Sequence, residues 1–176
     1  ALVLFLHGSG ERGDDGLKPT LAGIGPWLTQ NMDTFPALVV FPQVPEGEEW
    51  RGRNARMALA VLEAASKEFT ADPQRIYLTG ISMGGYGSWE LALTRPDQFA
   101  ALVPICGALR APRADRPGLV VDQVANATDP YQSVVSRLHH VPTWIFHGAL
   151  DGLVPTTDDR AIVAASRQMG ADFRHT

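Results

Sequence analysis

The chain has little cysteine, little basic excess and no long apolar run, and each shortage closes off a class of function. Its one cysteine, Cys106, cannot form an internal disulfide and lies in the apolar run Ala101–Cys106, where it reads as a core residue. That single cysteine does not point to a compartment, because a chain of this length can build a core without cross-links. A formal net charge of −4, with both signs scattered, lacks the basic footprint that nucleic acid needs. No apolar run approaches the roughly 20 residues of a membrane-spanning helix. No repeat, low-complexity tract, metal-ligand spacing or phosphate-cradling loop is present, so no cofactor and no metal is expected.

What remains is ordinary soluble-domain composition, 45% hydrophobic and 19% charged over 176 residues. This is enough for one domain, residues 1–176, with a sizeable core. The first residues, Ala1-Leu-Val-Leu-Phe-Leu6, are already a buried-strand pattern with no Met and no lead-in. A sequence cut at both ends is therefore expected, and the compartment and oligomeric state stay open.

Short apolar runs alternate with helical patterns. Strands are predicted at Leu2–Leu6, Ala37–Phe41, Arg75–Thr79, Ala101–Ile105 and Thr143–Phe146, with another starting at Asp172. Helices are predicted at Arg53–Phe69, Met83–Thr94 and Thr157–Met169, the last opened by a capping box from Thr156 to Asp159. Continuous rather than alternating apolarity means strands covered on both faces. The expected fold class is α/β, a mostly parallel, doubly wound sheet with helices on both faces. The long irregular stretch Gly107–Thr128 reads either as a surface excursion or as a loop over the substrate, with the excursion favoured.

The most informative segment is Arg75-Ile-Tyr-Leu-Thr-Gly80-Ile81-Ser82-Met83-Gly84-Gly85. It is a strand running into Gly-x-Ser-x-Gly and on into a helix, the nucleophile elbow of α/β-hydrolases. The serine must sit on a strained turn, and its neighbours must lack side chains where helix crosses strand. Ser82 is the predicted nucleophile. The first strand ends in His7-Gly8-Ser9-Gly10-Glu11-Arg12-Gly13, a small-residue loop fit to donate one oxyanion-hole N–H from Ser9, with Gly10 beside it at the substrate. The other donor would be Met83, which follows the nucleophile. His7 reads as a turn element, and Glu11 with Arg12 as a structural ion pair.

In this fold an acid and then a histidine follow the serine. Asp151 lies just past the Thr143–Phe146 strand, on the same rim as Ser82, and is the predicted acid. Asp158 and Asp159 fall in the first turn of the next helix, where they would complement its dipole. No histidine fills the base role convincingly. His139 and His140 precede a strand, His147 repeats the His-Gly pattern of His7, and His175 lies inside the final strand. The expected fold is therefore an α/β-hydrolase lacking its C-terminal part, with its histidine beyond Thr176.

In combination, His-Gly-Ser-Gly-Glu-Arg-Gly-Asp-Asp, Phe41-Pro42-Gln43, Trp50, Asp72-Pro73-Gln74-Arg75-Ile76-Tyr77, the elbow, and Phe146-His147-Gly148-Ala149-Leu150-Asp151 resemble the bacterial phospholipase/carboxylesterase-like hydrolases. These include EstA-type esterases and are also labelled predicted peptidases. The resemblance runs over essentially the whole chain. It implies Ser82 and Asp151 as triad members, Ser9 and Met83 as the oxyanion hole, and a histidine in a Gly-rich loop beyond this sequence. It also implies Trp50 as a wall of the acyl or alcohol pocket; without the family, Trp50 reads equally as an aromatic capping the core. The expected substrate is a small carboxylic ester cleaved through an acyl-enzyme. A serine peptidase and a non-catalytic binding domain with a degenerate site are the alternatives.

Overall fold

The computed structural model describes residues 1–176. Six strands form one parallel sheet: β1 (Leu2–Leu6), β2 (Leu38–Val40), β3 (Ile76–Ile81), β4 (Ala101–Ile105), β5 (Thr143–Ile145) and β6 (Phe173–His175). Their order is β2-β1-β3-β4-β5-β6. The chain therefore leaves β1 in one direction and later returns to β3 on its other side. That reversal opens a crevice at the carboxyl ends of β1 and β3, where open α/β sheets bind ligands.

The helices are α1 (Gly25–Asn31), α2 (Gly52–Glu68), α3 (Met83–Thr94), α4 (Pro130–Leu138) and α5 (Thr157–Met169). The bounds of α3 and α5 are those read from the sequence. Helix α1 went unread, and so did α4, although Asp129-Pro130 announces the latter. The Asp129 carboxylate accepts from the Tyr131 and Gln132 N–H groups, and the proline occupies the first turn where no N–H is needed. The capping box is not formed, because Thr156 makes no side-chain cap and Asp159 is turned into the core.

Strand β1 is the centre of the core. Leu2, Leu4 and Leu6 are fully buried on one face, with Phe5 buried on the other. Phe5 packs on Phe41 at 5.3 Å, and on the bare backbone of Gly23 in the segment leading to α1. Helix α3 lies across β1, β3 and β4, and every residue from Met83 to Leu93 is buried. Continuous burial gives way at β5, where Ile145 is buried and Trp144 is 44% exposed. One face of the sheet is open there, contrary to the expectation of strands covered on both sides.

The crossing of α3 over the sheet is set by missing side chains. A Cβ on Gly84 would lie 1.9 Å from the Leu6 carbonyl oxygen, and one on Gly80 would lie 2.3 Å from the Gly84 carbonyl oxygen. These obstacles are backbone and cannot rotate away. Gly84→Ala is therefore expected to destabilise the fold by about 3 kcal/mol or more. Urea unfolding would check this, and an unchanged midpoint would contradict it.

Candidate active site

Ser82 joins β3 to α3 at φ +55°, ψ −116°, a conformation that costs a residue with a Cβ about 1–3 kcal/mol. The surroundings impose it. The Ser82 N–H donates to the Ile105 carbonyl on the neighbouring strand at 2.9 Å. Its own carbonyl accepts from Gly85 and Tyr86 in the first turn of α3. Met83 opens the helix, so its N–H belongs to the first-turn donors that lack an intrahelical partner. Ser82 lines a cavity of about 350 Å³ together with Gly8, Ser9 and Gly10 after β1, and with Leu153 and Val154 after β5.

The loop after β1 is pinned from beneath. His7 is buried; its Nδ1–H donates to the Gly8 carbonyl at 2.6 Å, while its Nε2 accepts from the Val44 N–H at 3.0 Å. Burial pushes its pKa down, as befits a neutral ring with one donor and one acceptor nitrogen. Trp50 lies edge-on to His7 at 4.9 Å and donates its indole N–H to the His7 carbonyl at 2.9 Å. It is 2% exposed and does not line the cavity, so the pocket wall that the resemblance implied is a core pillar.

Ser9 begins a short 3-10 turn, Ser9–Glu11, which again leaves its backbone N–H among the free first-turn donors. Its hydroxyl is engaged elsewhere, accepting from Arg116 at 3.0 Å. Arg116 also reaches Glu49 at 3.2 Å, and Glu49 pairs with Arg12 at 2.8 Å. The expected Glu11–Arg12 pair is therefore absent: Arg12 pairs with Glu49 while Glu11 lines the cavity. Pro112, Arg113, Arg116 and Leu119 bring the stretch 107–128 into the cavity wall. The surface-excursion reading fails there; the arginine-rich, proline-punctuated composition was the available signal.

Asp151 sits in the turn that also supplies Leu153 and Val154. One carboxylate oxygen accepts from the Leu153 N–H at 2.8 Å and the Val154 N–H at 3.0 Å; the other lies 3.4 Å from Nε2 of His147. The Val154 amide, then the Leu153 amide and His147, hold its pKa below the ordinary carboxylate value. Asp158 and Asp159 are buried rather than solvated at the helix end. Asp158 accepts from the Leu109 and Arg110 N–H groups and from the Tyr131 hydroxyl, while Asp159 pairs with His147. Cys106 is half-buried at the end of β4 with φ +42°, a strand-end position rather than the core, and burial raises its thiol pKa.

No histidine is bonded to Ser82. His7 and His147 are engaged as described, and His139 and His140 bond the Ser136 and Pro96 carbonyls at the opposite end of the strands. His175 is exposed in β6 on a groove shared with Arg160 and Arg167 of α5. No group of three or more His, Cys, Asp or Glu is arranged to hold a metal. No helix is long and apolar enough to cross a membrane.

Residues 47–175 match the prolyl oligopeptidase family, Peptidase_S9. The chain belongs to that family. Among curated relatives, it is 26% identical to a poly(3-hydroxyoctanoate) depolymerase of Pseudomonas fluorescens, over 73% of this chain and 46% of that protein. It is 25% identical to feruloyl esterase B of Neurospora crassa, over 98% of this chain and 66% of that one. A crystal structure of a thermostable esterase superposes with a TM-score of 0.80 at 30% identity, covering 99% of this chain and 45% of that one. The chain thus spans between about half and two thirds of the length of these two curated relatives. The α/β-hydrolase superfamily inferred from the elbow is the one found, and this prolyl oligopeptidase family chain carries its parallel sheet.

The depressed pKa of Asp151 has a consequence for stability. An unfolded aspartate titrates near 3.8, and the folded one titrates lower. Its contribution is therefore fully present above about pH 3.8 and is lost as pH falls through the folded value. Asp151→Asn should flatten the acid limb of a stability-versus-pH curve and leave the shape unchanged near neutrality. Identical acid limbs in the two proteins would contradict this.

Proposed function

We propose that this site hydrolyses carboxylic esters through an acyl-enzyme intermediate, with Ser82 as nucleophile. The observation that carries the reading is the strained Ser82 at the β3–α3 junction, facing a cavity walled by the Ser9 loop, by Pro112 to Leu119 and by Leu153 and Val154 of the Asp151 turn. The Ser82 hydroxyl attacks the ester carbonyl carbon and its proton passes to an imidazole. The carbonyl oxygen, now negative, accepts from the N–H groups of Met83 and Ser9, each such donor contributing about 2.7–4 kcal/mol to the transition state. The imidazolium protonates the departing alcohol, and water then releases the acid by the reverse sequence. Asp151 orients the imidazole and stabilises its charged form without taking the proton.

The imidazole comes from outside these 176 residues. In support, the rings of His7, His139, His140 and His147 bond other partners, and His175 faces a groove that shares no residue with the Ser82 cavity. The esterase and depolymerase relatives favour esters as substrates. A cavity of about 350 Å³ favours short acyl chains. Family membership favours one second reading, a peptidase using the same groups, and turnover of an ester against its matched amide separates the two.

The complete gene product should hydrolyse p-nitrophenyl butyrate faster than the laurate ester. It should lose on the order of a millionfold in kcat on Ser82→Ala. Residues 1–176 alone should show a comparable deficit. Robust hydrolysis by these residues, abolished by His175→Ala, would overturn the assignment of the base. Undiminished hydrolysis in Ser82→Ala would overturn the reading altogether.

A further inference from the structure

His147 was read from sequence as a turn residue like His7, but its surroundings differ in kind. Both residues end a strand in His-Gly. The His7 ring has one donor and one acceptor partner, whereas the His147 ring faces acceptors on both sides. Its Nε2 lies 2.8 Å from the Val154 carbonyl, which can only accept, so Nε2 carries a hydrogen. Its Nδ1 meets the Asp159 carboxylate in direct contact. Both side chains are wholly buried. The second Asp159 oxygen has no partner at all.

A bare carboxylate in that position would be costly, and so would a bare imidazolium. The pair avoids both by holding one shared proton between Nδ1 and the carboxylate, which leaves it neutral as a unit whichever atom carries the proton. Burial pushes the Asp159 pKa up, and His147 opposes the shift. The groups facing the couple are Asp151 in the turn, Asp158 on α5, His175 on β6, Cys106 after β4 and Tyr86 on α3.

The geometry points to His147 and Asp159 as a positioning couple that fixes the catalytic acid Asp151, an inference that rests on the esterase reading above. The couple ties the end of β5 to the first turn of α5. From that anchor, Nε2–H holds the Val154 carbonyl and lies 3.4 Å from Asp151. The Val154 amide in turn donates to the other Asp151 oxygen at 3.0 Å. The carboxylate is thereby oriented before any imidazole approaches it. A histidine that merely filled the core would contribute stability and nothing else.

The test uses the complete gene product carrying His147→Gln, which keeps an N–H for Val154, or Asp159→Asn, which keeps the shape. Each should lower kcat about a hundredfold with KM little changed, the cost of a misplaced catalytic group. Each should also move the acid limb of the kcat/KM profile to lower pH, because a displaced Asp151 no longer favours the protonated imidazole. Asp151→Asn should move it the same way, and adding His147→Gln to Asp151→Asn should cost little more. Folded variants with wild-type kcat and an unmoved acid limb would overturn the inference, even where Ser82→Ala abolishes hydrolysis and the esterase reading stands.

Should neither variant fold, nitrogen-15 NMR of the wild-type His147 ring decides. The expected ring keeps Nε2 protonated and shares a proton between Nδ1 and the Asp159 carboxylate. Its resonances should shift in the Asp151→Asn variant. A ring with no hydrogen on Nε2, or one that ignores Asp151→Asn, would overturn the inference.

Discussion

The close crossing of α3 over the ends of β1 and β3 is the constraint on which the rest depends. With the Gly84 backbone almost against the Leu6 carbonyl, the chain leaving β3 has one residue in which to turn from strand to helix. That residue is Ser82, and its positive φ is the geometric result. The strain is held by backbone bonds on both sides, to Ile105 from one strand and from Gly85 and Tyr86 in the helix. Because the same crossing sets the start of α3 beside the end of β1, Ser82 and Ser9 come to one cavity. The proposed nucleophile and the loop proposed to face its oxyanion are thus brought together by a single packing contact.

Around this centre the protein places two different supports. The loop after β1 rests on neutral groups, His7 and Trp50, and on the Arg12–Glu49–Arg116 ion network at its flank. The turn after β5 rests on the buried His147–Asp159 pair. The first arrangement fixes backbone N–H groups, and the second fixes a carboxylate.

The helices α3 and α5, the strained turn at Ser82 and the turn that carries Asp151 were legible because each follows from local rules. Glycine spacing marks the elbow, and a strand end followed by His-Gly marks the Asp151 turn. What the sequence hid was long-range. Trp50 gives the same signal whether it lines a pocket or props a loop, and only its bond to the His7 carbonyl decides between them. Arg12 sits beside Glu11 in sequence, yet pairs with Glu49, which the fold brings from 37 residues away. Asp159 has the spacing of a helix-start acid, but α5 is rotated so that it faces His147. Arg113 and Arg116 lie in a stretch without periodicity, and only the cavity shows that they face Ser82.

We propose that the strained turn makes Ser82 an activated nucleophile. The most direct test is to treat the complete gene product with a fluorophosphonate and map the adduct by peptide mass spectrometry. One stoichiometric phosphonyl group is expected on Ser82, with none on Ser9 or Ser88. An unlabelled Ser82 in folded protein, or labelling that falls on another serine, would contradict it.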